Sequence, residues 1–276
     1  MNIKILKKLA AFTMAKKEAT PGTTREVLQY LYFTGDAIVA TDTHWLVVLK
    51  DVPSDVHYET TNGETATCEQ PYPDYKRVLL SKDRIAWKYT WPKEAQIVPR
   101  LKALLTGVAR AVKDTDFNSR PTVMLHKSSD TLGMISAYKE LQIQTYLVSG
   151  QTGEPHFEGY YFLSYWTKAL ELLEAVGGDL TLSVSKTRKG MPPLITLETP
   201  QIIILGAPVD MSNIPYNPIE GYKKKLVEKP EAPADSDDLD FFRIGDFHYG
   251  HEHTETTDII HGTAGSHPQT DAGTGG

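Results

Sequence analysis

Cysteine is almost absent from this chain of 276 residues, which contains only Cys68. A single cysteine excludes an internal disulfide framework and a cysteine-rich zinc site, and it favours a reducing intracellular compartment. Long apolar runs are also absent, because no stretch approaches the roughly 18 consecutive apolar residues of a membrane span. Near the start, Lys4, Lys7 and Lys8 interrupt any signal-peptide core. These absences predict a cytoplasmic protein without a membrane partner.

Recognisable catalytic motifs are missing too. The sequence has no Gly-rich phosphate loop after a strand, no G-x-S-x-G nucleophile elbow and no His-Glu-x-x-His pair. Asp42 and His44 lie close in sequence, but structural or binding roles are favoured for them. In the C-terminal segment, His251-Glu252-His253 offers metal ligands without the fixed geometry that selects a metal. We therefore expect no catalysis, no cofactor and no metal, and an enzyme with an unfamiliar motif is the alternative.

Charge is unevenly spread along the chain. The formal net charge is −6, which excludes a protein that is basic throughout. From Leu226 onward there are two basic and eleven acidic residues, whereas residues 1–225 carry 27 basic and 24 acidic ones. The segment beyond Pro218 is rich in Pro, Asp, Glu, Gly, Thr and His, a composition typical of disorder. We expect a mildly basic folded part and an acidic, histidine-containing, disordered tail at residues 219–276.

Hydrophobic periodicity predicts three helices that alternate with groups of strands. Helices are predicted at 3–17, at 94–113 with Pro99 in the first turn, and from Ser164 as N-cap to Gly177-Gly178. A looser stretch, 51–73, joins two units. This order predicts an α+β fold made of repeats of one helix plus a small antiparallel sheet. Strand patterns lie at 27–33, 37–49, 77–80, 84–89, 122–126, 132–137, 141–148, 180–185, 194–198 and 201–205, with a hairpin turn at Thr34-Gly35-Asp36.

Basic residues form stripes on two of the predicted helices. They fit two interpretations: lysines that keep a helix surface solvated, and a surface that follows the phosphate backbone of DNA without reading bases. On the third helix, Glu171 and Glu174 oppose Lys168, so that a basic lining would be incomplete. The candidate DNA-facing residues are Lys4, Lys7, Lys8, Lys102, Arg110 and Lys113.

Three segments resemble the bacterial DNA polymerase III beta sliding-clamp family. Ala40-Thr41-Asp42-Thr43-His44-Trp45-Leu46 resembles its Ala-Thr-Asp-Gly-His-Arg-Leu segment, and Tyr72-Pro73-Asp74-Tyr75-Lys76-Arg77-Val78-Leu79 resembles its Phe-Pro-Asp-Tyr-Arg-Arg-Val-Leu segment. Leu205-Gly206-Ala207-Pro208-Val209-Asp210-Met211 is similar to its closing Val-Met-Pro-Met-Arg-Leu. The resemblance covers about residues 1–211. It implies repeated clamp domains whose helices line a hole around DNA and whose sheets lie outside.

The resemblance also implies a pocket for partner peptides. In the family, polymerase, loader and repair proteins insert a motif similar to Gln-Leu-Ser/Asp-Leu-Phe into an apolar pocket. Apolar walls with polar groups at the rim suit the anchor side chains of a linear peptide, and burial of the same residues between two units is the alternative. Three departures predict an altered pocket: Trp45 and Asp210 replace arginines, and Thr43 replaces a glycine. The implied pocket residues are Leu28, Thr41, Thr43, His44, Trp45, Leu46, Pro73, Arg77, Val78, Leu205, Pro208, Val209 and Met211.

The resemblance implies that this sequence matches neither the family's first domain nor the second half of its middle domain. We expect a partial clamp domain at 1–72, a clamp domain at 73–218 and the tail at 219–276. With half the family's helices, a ring would need twice as many chains. The expected function is a sliding-clamp-like processivity factor that acts as a homo-oligomer, and its compact form suggests a bacteriophage origin. The alternative is a non-ring adaptor or decoy that competes for clamp-binding peptides.

The tail contains a segment similar to a clamp-binding peptide. In Asp238-Leu239-Asp240-Phe241-Phe242, Leu239 and Phe242 fall at the two anchor positions, although Asp replaces the usual first Gln. The segment would bind its own pocket, that of a neighbour or that of a cellular clamp, and an isolated apolar patch is the alternative. Expected partners are duplex DNA of any sequence, a DNA polymerase, other proteins with clamp-binding peptides, and a clamp loader.

Overall fold

The computed structural model of the chain describes residues 3–19, 22–23, 25–113, 121–127, 131–138, 141–149, 156–186 and 192–209. These residues fall within one unit, Met1–Gly245. The expected tail, with Asp238–Phe242, lies outside the described residues. The helices are α1 (Ile3–Ala10), α2 (Ile97–Lys113) and α3 (Leu163–Val176). The strands are β1 (Leu31–Phe33), β2 (Ala37–Thr41), β3 (Trp45–Lys50), β4 (His57–Glu59), β5 (Thr65–Ala66), β6 (Ile85–Trp91), β7 (Thr122–Lys127), β8 (Thr131–Tyr138), β9 (Leu141–Ser149), β10 (Phe157–Phe162), β11 (Leu180–Ser185), β12 (Ile195–Thr199) and β13 (Ile202–Gly206).

The strands form two antiparallel sheets. The larger has nine strands in the order β5-β4-β1-β2-β3-β13-β12-β11-β6, and the smaller has the order β10-β7-β8-β9. At the centre of the larger sheet β3 pairs with β13, from Leu49 opposite Ile202 to Trp45 opposite Gly206. This pairing connects strands from both sides of the expected boundary between residues 72 and 73.

The main core lies between the three helices and one face of the sheets. We call this face of the larger sheet the inner face and the opposite one the outer face. Helix α3 contacts both α1 and α2, and Leu9 and Leu170 on two of these helices are fully buried with Val47 and Ile204 of the sheet. Since side chains alternate along a strand, Leu46 and Val48 point to the outer face, where they form a second cluster with Leu205.

The first helix is shorter than predicted. It ends at Ala10 rather than near residue 17, because the next amides bond three residues back: that of Phe12 donates to the Leu9 carbonyl at 3.0 Å and that of Thr13 to the Ala10 carbonyl at 3.2 Å. The amide of Met14 then donates to the Leu28 carbonyl at 2.9 Å. The apolar pattern continues beyond the helix because Met14 is buried in a separate cluster.

Two further local predictions were wrong. The predicted strand at 77–80 is replaced by a 3₁₀ turn at Tyr75–Arg77, across which Arg77 Nε forms an ion pair with Asp74 Oδ2 at 2.9 Å. Ser164 is not the N-cap of α3, because the helix begins at Leu163, whose amide donates to the Pro121 carbonyl at 2.9 Å.

The second apolar run, 37–49, is two strands rather than one, since a turn at residues 42–44 separates β2 from β3. Strand β10 was not predicted at all, although buried and more exposed residues alternate along it. The first apolar run, 27–33, is a strand only at Leu31–Phe33, because Glu26–Gln29 forms a 3₁₀ turn. Confirmed elements include the turn between β1 and β2, the remaining predicted strands within a few residues, Pro99 in the first turn of α2, and the end of α3 at Gly177.

The looser stretch predicted at 51–73 adds two short strands to the edge of the larger sheet. Strand β4 pairs with β1, and His57 stacks on Phe33 with a ring distance of 4.3 Å. The Nε2 atom of His57 lies 3.0 Å from a carboxylate oxygen of Glu59, and this hydrogen bond raises the pKa of the imidazole. Strand β4 is thus held between β1 and the edge strand β5 without a helix.

Candidate functional site

The outer face of the larger sheet carries the apolar part of the candidate peptide site. Leu46 and Leu205 lie opposite each other on the paired strands β3 and β13, and both are buried. The segment that follows residue 71 packs over them. The side chains packed against this outer cluster are Tyr32, Tyr72, Tyr75, Leu79, Leu80, Leu194 and Ile203.

Tyr72 attaches that segment to the sheet. Its ring stacks on Tyr32 at 4.7 Å, and its amide donates to the Tyr58 hydroxyl at 3.1 Å. Burial raises the pKa of the Tyr72 phenol above its ordinary value. These contacts of Tyr72 fix the start of the segment that contains Pro73, Arg77 and Val78.

The residues after Tyr72 form the exposed rim of the site. Pro73 is exposed, Arg77 is 85% exposed and ion-paired to Asp74, and Val78 is 47% exposed. Val78 directly precedes Leu79 and Leu80, which pack against the outer cluster, so an apolar side chain is exposed next to that cluster along the chain. Arg77 adds a cationic group to the same rim.

A tight turn at residues 42–44 borders the site on another side. One carboxylate oxygen of Asp42 accepts hydrogen bonds from the amides of His44 and Trp45, each at 3.0 Å. The other oxygen accepts a hydrogen bond from the Tyr165 hydroxyl on α3. Thr43 has φ +80, the left-handed region that glycine adopts most readily. The turn leaves His44 exposed and Thr41 half-buried.

Two of the predicted pocket residues lie away from the outer cluster. Trp45 is 1% exposed and points to the inner face, where its ring stacks on Tyr165 at 5.6 Å and meets the edge of Trp166 at 6.1 Å. A Cβ atom on Gly206 would lie 2.8 Å from the Trp45 ring, so that only glycine fits opposite it. Leu28 is buried in a third cluster, with Met14 and other residues.

The last predicted segment follows β13. The Ala207 amide donates to the His44 carbonyl at 2.9 Å, and the Val209 amide donates to the Tyr160 carbonyl at 2.7 Å. These bonds hold Pro208 and Val209, both half-buried, beside the turn at 42–44. Met211 lies outside the described residues.

Sequence reasoning missed most side chains of the outer cluster, namely Tyr32, Ala37, Val39, Val48, Tyr72, Tyr75, Leu79, Leu80, Leu194 and Ile203. The signal for Ile203 was present, because residues 203 and 205 of one strand must share a face. The same alternation places Trp45 and Leu46, which are adjacent in β3, on opposite faces of the sheet. Nothing local in the sequence indicates that Leu194 joins this cluster.

The predicted DNA-facing residues lie on α1 and α2. Lys4, Lys7 and Arg110 are exposed, and the side chain of Lys113 lies outside the described residues. Lys8 Nζ forms an ion pair with Glu171 at 3.1 Å, and Lys102 forms one with Glu174. Together the three helices carry eight basic residues and two acidic ones, whereas the whole chain is acidic.

A cavity of about 410 Å³ lies elsewhere, between the start of α2 and the end of α3. Its walls include Trp91, Ile97 and Leu173, and none of the predicted pocket residues lines it.

Among the described residues, no three His, Cys, Asp or Glu side chains cluster as metal ligands would. The described helices are too short or too polar to cross a bilayer.

The described part of the chain has the fold of a bacterial DNA sliding clamp. The resemblance seen in three sequence segments and the expected α+β clamp fold are thereby confirmed. No protein-family model matches the sequence, and no curated protein matches it.

The fold assignment comes from solved structures. DNA polymerase III subunit beta from Borrelia burgdorferi matches with a TM-score of 0.53 and 16% identity, covering 75% of this chain and 60% of that one. The sliding clamp from Bacillus subtilis matches with a TM-score of 0.51 and 18% identity, covering 75% and 63%. The Helicobacter pylori beta clamp bound to a DNA ligase peptide matches with a TM-score of 0.52 and 16% identity, also covering 75% and 63%. This chain therefore spans about three fifths of the length of these clamps.

Proposed function

We propose that the protein is a DNA sliding-clamp-like processivity factor, which holds replication proteins on duplex DNA and catalyses no reaction. The observation that supports this function is a clamp fold with two different surfaces on opposite sides of one sheet. The helices on the inner side carry an excess of positive charge, and the outer side carries the apolar cluster. DNA and a partner peptide would then bind at the same time.

The DNA surface in this proposal is formed by α1, α2 and α3. An excess of six positive charges on three helices attracts phosphates even though the chain as a whole is acidic. Such contacts position DNA without reading its sequence. No reacting group is needed at this surface, in agreement with a non-enzymatic role.

The peptide site in this proposal is the outer cluster with its rim of Pro73, Arg77 and Val78. Leu46 and Leu205 form its base, and Trp45 supports β3 from beneath. The Helicobacter pylori clamp bound to a ligase peptide supports the idea that this fold accepts linear peptides. A peptide with two apolar anchors, such as Gln-Leu-Ser-Leu-Phe, would cover Val78.

Replacing Val78 by Asp is expected to weaken binding of that peptide at least about tenfold, since a carboxylate would be buried against apolar anchors. Stability should hardly change, because Val78 is 47% exposed in the free protein. Fluorescence anisotropy with a labelled peptide measures the effect. The matched control is Val56→Asp, at a valine that is 65% exposed away from the outer cluster. Equal binding by both variants would place the peptide elsewhere.

The absolute mass of the full chain in solution tests the ring. Light scattering should give one defined multiple of the 30.8 kDa chain mass over a range of concentrations. A monomer that does not bind duplex DNA would contradict the clamp and favour the non-ring adaptor or decoy. The full chain with Leu239→Ser and Phe242→Ser is the companion sample. Loss of the oligomer in that variant alone would indicate that the tail segment binds the pocket of a neighbouring copy.

A further inference from the structure

Two ion pairs link all three helices on their solvent-exposed side. Glu171 and Glu174 lie on α3, the helix that contacts both others. Glu171 pairs with Lys8 of α1 at 3.1 Å, and Glu174 pairs with Lys102 of α2. Because the glutamates are three residues apart, they share one face of α3. All four side chains are 31% to 48% exposed, so the row faces solvent.

We infer that Glu171 and Glu174 act as internal competitors for DNA phosphate: they engage Lys8 and Lys102 and so limit the affinity of the helices for the duplex. This inference rests on the proposed DNA-binding function and specifies how that surface is tuned. The two acidic residues of the three helices both take part in these pairs. Each therefore occupies a lysine that would otherwise contact a phosphate.

The neighbouring cation on α3 has a different role. Lys168 Nζ donates to the Ala11 carbonyl at 3.0 Å and lies 5.3 Å from the centre of the Tyr165 ring. Its ammonium group is thus engaged by a backbone carbonyl and takes no part in the two ion pairs. Lys7 and Arg110 remain exposed for a first contact with DNA. The paired lysines form a second set, which phosphate reaches only by displacing a carboxylate.

Exchange of this kind is feasible because exposed ion pairs are weak. A phosphate that replaces a glutamate keeps the lysine neutralised, but it leaves the carboxylate unpaired beside an anionic duplex. This repulsion reduces the gain from each contact. The consequence is a weak, salt-dependent affinity for DNA, which suits a protein that moves along DNA rather than staying at one site.

A purely structural role for the pairs predicts the opposite result. If the pairs only held the helices together, removing the glutamates would loosen the layer and leave DNA binding unchanged or weaker. If they compete with phosphate, the same change strengthens binding. The sign of the effect on affinity therefore distinguishes the two roles.

The experiment compares full-length Glu171→Gln and Glu171→Gln/Glu174→Gln with the unaltered protein on a short labelled duplex. We expect about threefold tighter binding for the single variant and about tenfold for the double at low salt. The slope of log affinity against log salt should steepen by about one unit for each lysine released. Glu198→Gln is the control, because it also removes one carboxylate, but from a 3.1 Å pair with Lys50 on the outer face.

Each outcome decides the question. If the unaltered protein binds DNA and Glu171→Gln binds no tighter than Glu198→Gln, the inference is overturned and the proposed function stands. If neither the unaltered protein nor the double variant binds DNA at low salt, the proposed function fails and the inference fails with it. If only the double variant binds, the carboxylates mask the surface and the inference is supported. Urea unfolding of each variant verifies that the helices remain folded.

Discussion

Replacing Trp45 by Ala is expected to lower the free energy of unfolding by about 3–5 kcal/mol, the usual cost of removing a large buried aromatic ring. The side chain is 1% exposed and contacts Tyr165 and Trp166 of α3. Its loss would leave a cavity between the centre of the larger sheet and the central helix. Urea unfolding followed by circular dichroism measures the change.

Trp87→Ala is the matched control for this experiment. Trp87 also packs against the main core, but it is only half-buried and lies on the edge strand β6. Its replacement should cost clearly less than that of Trp45. Equal losses in the free energy of unfolding for the two variants would contradict a special role of Trp45 in packing α3 against the sheet.

Reversing the charge of Lys7 and Arg110 together is expected to reduce the affinity for duplex DNA about a hundredfold at low salt. Both side chains are exposed on the helix layer, and each reversal replaces an attraction to phosphate by a repulsion. The salt dependence should also weaken, with the slope of log affinity against log salt falling by about two units. Titration of a labelled duplex at several salt concentrations measures both quantities.

The control variant changes the net charge by the same amount at two residues that do not lie on the helices. Lys82→Glu/Lys88→Glu alters two exposed lysines, of which Lys88 lies on β6 beside the half-buried Trp87 and points to the opposite face. We expect this variant to lose only a few-fold in affinity. Equal losses for the two double variants would show that DNA responds to net charge alone and would contradict a binding surface on the helices.

Much of the fold could be predicted because its elements follow local patterns. The apolar stripe of α2, the Gly-containing turn after β1 and the Gly177-Gly178 end of α3 all follow from short-range rules. The end of α1 did not follow from such rules, because the apolar pattern continues through Met14, whose amide bonds to the distant Leu28 carbonyl and whose side chain is buried in a separate cluster. The 3₁₀ turn at Tyr75–Arg77 was not predictable from short-range rules either, because the apolar residues that follow it have the pattern of a strand.

The candidate site was predictable in part. The resemblance of three segments brought Leu46 and Leu205 together, and the structure pairs them directly across two strands. It also grouped Trp45 with them, although alternation along β3 sends this residue to the opposite face. The pair of Lys8 and Glu171 joins residues 163 positions apart, so that no local pattern could reveal it. Long-range pairing of charges depends on how the helices pack, which a single sequence does not specify.

The pairing of β3 with β13 has a mechanical consequence. A hinge between two parts of a chain needs a plane that few hydrogen bonds cross, but here five residue pairs, from Leu49–Ile202 to Trp45–Gly206, cross it. Bending at this place would break ladder hydrogen bonds rather than rotate a loop. Among the described strands, those before and after residue 72 are therefore continuous parts of one sheet, whose curvature comes with the twist of its strands.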